Sequence, residues 1–161
     1  MSEERPERVA LHDIRPEDVE LLRAIHRTPS VRRWWGDPED TWPGAANDSG
    51  VSGRAVWLGE RLIGFVQWAE NDDPMYRSVG IDLFLDESAQ GRGLGRQVVR
   101  LVTRHLIDDL GHHRIVIDPA ADNERAISCY RACGFRPVGV MRSYERDIDG
   151  DGWHDGLLME L

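Results

Sequence analysis

The most constraining feature of the chain is a glycine-rich hexapeptide, Gln90-Gly91-Arg92-Gly93-Leu94-Gly95, set between an apolar run and an amphipathic run. Val79–Leu85 (VGIDLFL) reads as a strand buried on both faces. Gly93–Leu110 carries apolar residues at Leu94, Val98, Leu101, Val102 and Leu106, the period of a helix that ends at Gly111. Glycines at a strand-to-helix junction let the backbone approach a ligand closely. The helix N-terminus behind them offers unpaired N–H groups and the positive end of the helix dipole to a phosphate. Spacing excludes two common phosphate loops. A dinucleotide fingerprint would need glycine where Arg96 stands, and a P-loop needs Gly-Lys-Ser/Thr in a chain whose 20 basic residues are all arginine.

The elements around this junction predict an α/β fold with a mixed sheet. Arg8–Arg15 reads as a first strand, and Pro16-Glu17-Asp18 opens a helical pattern through Val19, Leu22, Ile25 and His26. Thr28-Pro29-Ser30 reads as a break before a short helix over Val31–Trp35, and Gly36–Gly53 is the longest loop. Arg54–Leu58 and Arg61–Trp68 form a hairpin pattern around Gly59-Glu60, followed by a polar loop over Asn71–Tyr76. After the glycine run come a strand at Arg114–Ile117, a helix over Asn123–Cys133 closed by Gly134, and strands over Pro137–Arg146 and Trp153–Leu161. A chain of 161 residues with 40% hydrophobic content suits one domain spanning residues 1–161.

Charge and cysteine content narrow the function classes. The net charge of −9 disfavours a nucleic-acid backbone as partner and favours a cationic one. No apolar run approaches the roughly 18 residues of a membrane helix. The N-terminus MSEERPER is too charged for a signal peptide, so a cytoplasmic protein without membrane contact is expected. Cys129 and Cys133 stand four apart, which fits the buried face of one helix better than a disulfide framework or a zinc site. Asp147, Asp149 and Asp151 match half of a calcium loop, but Leu158 occupies the place of its glutamate, so a hairpin turn is expected there. The six histidines form no metal-binding spacing, and no metal is expected.

Gln90–Gly95 after a strand resembles the pyrophosphate-binding loop of the GNAT N-acetyltransferases, Q/R-x-x-G-x-G/A. Asn123–Phe135 (NERAISCYRACGF) is similar to that family's N-x-x-A-x-x-x-Y-x-x-x-G-F helix, at a distance that fits one helix and one strand between the motifs. Within the family, GIDLFLDESAQGRGLG followed by IDPAADNERAISCYRACGF is similar to the aminoglycoside 6′-N-acetyltransferases, as is Trp34-Trp35-Gly36; siderophore acyltransferases share parts of the pattern. The resemblance implies a splayed, mixed, mostly antiparallel sheet flanked by helices. It also implies acetyl-CoA as cosubstrate and direct acetyl transfer to an amine.

The same resemblance assigns roles. Leu83, Phe84 and Leu85 would meet the pantetheine arm through their backbone, and Gln90, Gly91, Arg92, Gly93, Leu94, Gly95 and Arg96 would hold the pyrophosphate. Asn123 and Ala126 would complete the cofactor site, although capping the helix explains Asn123 equally well. Tyr130, seven residues on and thus on the same helix face, would protonate the leaving thiolate; a buried tyrosine is the alternative. Asp82, a carboxylate in an apolar strand, would serve as base or electrostatic anchor for the acceptor amine, with a structural salt bridge as the alternative. Trp35, Asp73, Asp118 and Asp155 are expected with Asp82 around the acceptor. The implied acceptor is a cationic small-molecule amine, foremost the 6′-amine of an aminoglycoside. A siderophore hydroxylamine, a polyamine or a protein amine is the alternative, and a non-catalytic acetyl-CoA-binding module the third reading. Either a monomer or a homodimer is compatible with the sequence.

Overall fold

The computed structural model describes residues 7–43 and 50–161; the N-terminal residues 1–6 and residues 44–49 of the long loop lie outside them. Seven strands, β1 (Val9–His12), β2 (Val51–Leu58), β3 (Arg61–Asn71), β4 (Ser78–Leu85), β5 (Ile115–Ile117), β6 (Arg136–Arg146) and β7 (Trp153–Glu160), form one sheet. Among the described residues four α-helices flank it: α1 (Val19–His26), α2 (Pro29–Trp35), α3 (Leu94–Arg104) and α4 (Glu124–Ala132). The strand order is β1-β2-β3-β4-β5-β7-β6. Every neighbouring pair is antiparallel except β4–β5. The fold is therefore the mixed, mostly antiparallel α/β architecture that the sequence implies.

The parallel pair positions the site. β4 and β5 meet only at Val79↔Ile115 and Gly80↔Val116, whereas β3 pairs β4 along its whole length from Asn71↔Ser78 to Gly64↔Leu85. Beyond Gly80 the two parallel strands diverge. Among the described residues one edge of β4 from Ile81 to Leu85 then has no strand to pair with, and backbone N–H and C=O groups there need other partners. The sheet splays at the C-terminal ends of β4 and β5, where open α/β sheets bind ligands.

Two apolar cores cover the faces of the sheet. One packs Val98, Val99 and Val102 of α3 and Tyr130 of α4 against Val79, Ile81 and Leu85 of β4. The other sets Leu22 and Ile25 of α1 and Val31 of α2 against Phe65 and Phe84. β4 is thus covered on both faces except at Asp82, which interrupts the burial that the apolar run predicts and is reached by solvent through the splay. Other expected bounds shift. The break expected at Thr28-Pro29-Ser30 lies at Arg27 and the extended Thr28, and the helix after it begins earlier than Val31: Pro29 is the first residue of α2, where its missing N–H costs nothing. The helix after the glycine run starts at Leu94, because Gly93 at φ +75° stands outside it. It passes at His105–Asp109 into a π-helical turn before Gly111. The first strand is confined to Val9–His12, and β2 and β3 run longer than the hairpin pattern predicts.

Candidate active site

A cleft of about 1030 Å³ opens in the splay, and its two ends differ in charge. At the α3 end it is lined by Gly91, Gly93, Gly95, Arg96 and Arg125; at the other by Asp82, Asp118 and Glu145. The first end follows from backbone conformation. Gly91 and Gly93 adopt φ of +71° and +75°, and a Cβ on either would meet no protein atom within 4 Å. Glycine is needed there for the left-handed turn and not for packing. The turn leaves the first N–H groups of α3 without helical partners beside two guanidinium groups, a setting for a diphosphate.

Gln90 closes this end of β4. Its Nε2 donates to the Leu85 carbonyl at 2.9 Å and to Ser30 Oγ at 3.3 Å, while its Oε1 accepts from Arg125 at 2.8 Å. The Gln90 side chain thus ties β4, α2 and α4 together where the residue lines the cleft. Two more residues expected in the cofactor site are absent from the cleft walls. Arg92 turns its guanidinium to Glu7 at 3.1 Å, and the Leu94 side chain is buried in the core. Leu83, Phe84, Leu85, Arg96 and Ala126 all line the cleft. Asn123 does so too, and its Oδ1 accepts from Ala126 N–H at 3.2 Å, so it caps α4 and leaves only its amide NH₂ free.

The acidic end holds the titratable chemistry. Protein surrounds Asp82 on most sides although water reaches it through the cleft. That desolvation, with the charges of Asp118 and Glu145, pushes its carboxyl up to about 6, while the Gln67 amide across the β3–β4 ladder works in the opposite direction. Asp118, just past β5, accepts from the Tyr144 hydroxyl at 2.6 Å. That bond is the main reason the Tyr144 phenol is pushed up to about 12. Tyr130 is 8% exposed and lines the cleft. Burial first, then the neighbouring Cys129 and the two aspartates, raises its ionisation well above the usual tyrosine range, so its proton stays on oxygen at neutral pH. Burial also pushes the Cys129 thiol up to about 11, so the cleft presents no thiolate for a covalent relay.

Two of the expected acceptor acids lie elsewhere. Asp73 is exposed in the β3–β4 turn, where its Oδ1 accepts from Met75 N–H at 2.9 Å, and it is absent from the cleft walls. Asp155 is exposed on β7 and also outside the cleft; its Oδ1 accepts from Ser143 N–H at 2.8 Å. Trp35 does line the cleft, together with Trp34, and its ring stands edge-on to Phe84 at 5.0 Å between centroids. Tyr144, Glu145 and His154 also line it, although no motif points to them. His154 bridges Asp147 at 3.0 Å and Glu145 at 3.4 Å. The Asp147–Asp151 segment is a hairpin turn, and no cluster of three or more metal-ligating side chains occurs among the described residues.

Known proteins place this geometry. An aminoglycoside N(6′)-acetyltransferase type 1 from Klebsiella pneumoniae is 28% identical over 155 residues, covering 83% of this chain and 76% of the relative. A crystal structure of the aminoglycoside acetyltransferase AAC(6′)-Ib in complex with coenzyme A and kanamycin superposes with a TM-score of 0.79 at 25% identity, covering 95% of this chain and 94% of that one. Spermidine N-acetyltransferase from Vibrio cholerae, solved with CoA and spermine, shares the fold with a TM-score of 0.81 at 17% identity, covering 96% and 95%. Residues 9–135, from β1 through both motifs to the end of α4, match the acetyltransferase (GNAT) family. The splayed β4–β5 pair, the glycine turn and the α4 motif are therefore those of an acetyl-CoA-dependent enzyme, and the chain belongs to the GNAT acetyltransferases.

Proposed function

We propose that this acetyltransferase acts on a polycationic small molecule, the 6′-amine of an aminoglycoside. The observation that carries this reading is the charge segregation of one cleft, with arginines and helix N–H groups at one end and three carboxylates at the other. The aminoglycoside acetyltransferases among its relatives support the choice of acceptor. Acetyl-CoA fits the cationic end by its diphosphate and the free edge of β4 by its amide-bearing arm. Acceptor ammonium groups fit the acidic end. Opposite charges at the two ends orient both reactants along the cleft, which lowers the entropic part of the barrier.

The residues then divide the proton work. The acceptor nitrogen must lose a proton to attack the thioester carbonyl carbon. A carboxylate at about 6 is mostly ionised at pH 7 yet basic enough to take it, and Asp82 has that property. The C–N bond forms and the C–S bond breaks; the leaving sulfur takes the Tyr130 proton, the second proton of the now acidic acceptor nitrogen restores the phenol, and Asp82 passes the first to water. Free backbone N–H groups on β4 polarise the carbonyl. Asp118 and Glu145 hold further ammonium groups of the acceptor.

A thiol-release assay over matched acceptors tests this. Aminoglycosides with a 6′-amine should be turned over, their 6′-hydroxyl analogues should not, and apparent acceptor affinity should fall as salt screens the acidic end. Rapid turnover of a polyamine or a hydroxylamine, with equal low rates on both aminoglycoside types, would replace the acceptor and leave acetyl transfer intact. No thiol release with any amine would leave only a binding module.

A further inference from the structure

We infer that Asp155 is a positioning residue for the acceptor end of the cleft, acting through Ser143 and Tyr144 on the Asp118 carboxylate. The inference rests on the acceptor reading above and concerns residues to which that reading gives no role. Its starting point is an irregularity in the sheet. The β6–β7 register slips by one residue between Pro137 and Gly139, runs on to Met141↔Gly156 and resumes only at Glu145↔His154, so β6 carries two more residues than β7 across this last interval. The surplus is a bulge, and bulges re-aim side chains.

Ser143 sits in the bulge at φ +50°, the single non-glycine residue with positive φ among the described residues. Such a conformation is strained for a residue with a Cβ and persists where its surroundings hold it. Here the holding group is Asp155, whose Oδ1 accepts the Ser143 N–H at 2.8 Å. The turned backbone lays the Tyr144 ring over Gly156, so closely that a Cβ on Gly156 would stand 2.8 Å from Tyr144 Cδ1. From that seat the Tyr144 hydroxyl reaches Asp118 Oδ2 at 2.6 Å. A carboxylate has about four acceptor positions, so one phenol on Oδ2 fixes the orientation and leaves Oδ1 for an ammonium.

The same stretch of β7 holds the segment that follows Asp118. The Asp155 carbonyl accepts from Ala121 N–H at 2.9 Å, Leu157 N–H donates to the Pro119 carbonyl at 2.9 Å, and Ala120 bridges Gly156. The segment after Asp118 is thus pinned to β7, and the Asp118 carboxylate is held by the Tyr144 phenol. Asp155 needs an acceptor oxygen for this task and not a negative charge, which separates positioning from direct contact with a cationic substrate.

Three variants exploit that difference. Asp155→Ala removes the acceptor oxygen, Asp155→Asn keeps one but loses the charge, and Tyr144→Phe keeps the ring over Gly156 but loses the hydroxyl. Steady-state kinetics should show Asp155→Ala and Tyr144→Phe each raising the acceptor KM about tenfold, with the acetyl-CoA KM unchanged and kcat within about threefold. The double variant should be no worse than either single one, because both break the same chain of contacts. Asp155→Asn should stay within about twofold of the parent. A second readout needs no acceptor: below about pH 11, Asp155→Ala should ionise one more phenol than the parent or Asp155→Asn, since Tyr144 is freed from Asp118. Equal damage in Asp155→Asn and Asp155→Ala would make charge the determinant and overturn the inference, as would a phenol count unchanged in Asp155→Ala. If no amine is turned over, the acceptor reading falls, while the phenol count still decides what Asp155 does.

Discussion

Replacing Asp82 with asparagine should slow turnover sharply and stabilise the fold at neutral pH. An aspartate whose folded pKa is raised from 3.8 to about 6 is neutral in both states below the lower value. Between the two values the unfolded chain ionises first, so stability falls as pH rises, and the full cost is present above about pH 6. A hundredfold change in proton affinity corresponds to about 3 kcal/mol. Water reaches Asp82 through the open cleft and screens it, which reduces the effect to roughly 1 kcal/mol. For a chain of this size that is about 2–4 °C in Tm. Asp82→Asn should therefore melt higher than the parent at pH 7.5, with the gain shrinking as pH is lowered from 6 toward 4. In parallel, kcat should drop roughly 10²–10⁴-fold and kcat/KM should lose its acid limb near pH 6. Thermal unfolding at pH 7.5 and at about pH 4, with thiol release measured across the range, tests both. A variant less stable than the parent at pH 7.5, or equally stabilised at both pH values, would refute the reasoning from burial and like charge.

Three further outcomes follow from the cleft walls. Tyr130→Phe keeps the ring in the core and loses the proton donor, so turnover should fall about 10²-fold with acetyl-CoA affinity unchanged by calorimetry. Gly93→Val puts a branched residue at φ +75° in the phosphate turn; acetyl-CoA affinity should fall more than tenfold, about 1.4 kcal/mol, and the folded variant should lose roughly 1–2 kcal/mol in urea unfolding. Asn123→Ala removes the α4 cap and should cost about 1 kcal/mol, whereas Asn123→Asp keeps the capping oxygen and the stability but loses the NH₂ that faces the cleft. A loss of acetyl-CoA affinity in both Asn123 variants separates cofactor contact from capping alone.

Local chemistry carried the legible part of the fold. The glycine turn, the amphipathic period of α3 and the N-cap to Gly134 span of α4 depend on residues adjacent in sequence, and the structure keeps all three elements in place. Pro29 misled because proline marks a break in a helix interior but suits a first turn. The acidic end was only half legible. Asp82 and Asp118 follow strand motifs, but Tyr144, Glu145 and His154 reach the cleft through a bulged pairing whose register is a long-range property. Asp73 and Asp155 misled for a related reason. Net negative charge predicts a field but not a direction, and each carboxylate is taken up by a backbone N–H of its own hairpin.

The position of the acetyl group on the product tests the central claim most directly. Kanamycin incubated with acetyl-CoA and the enzyme should give one monoacetylated product by mass, with the new amide assigned to the 6′-nitrogen by two-dimensional NMR. A cleft that orients its acceptor between Asp82 and the other carboxylates predicts that single isomer, and predicts that Asp82→Asn forms it slowly without changing the position. Acetyl distributed over several amines, or placed on a nitrogen other than 6′, would contradict it.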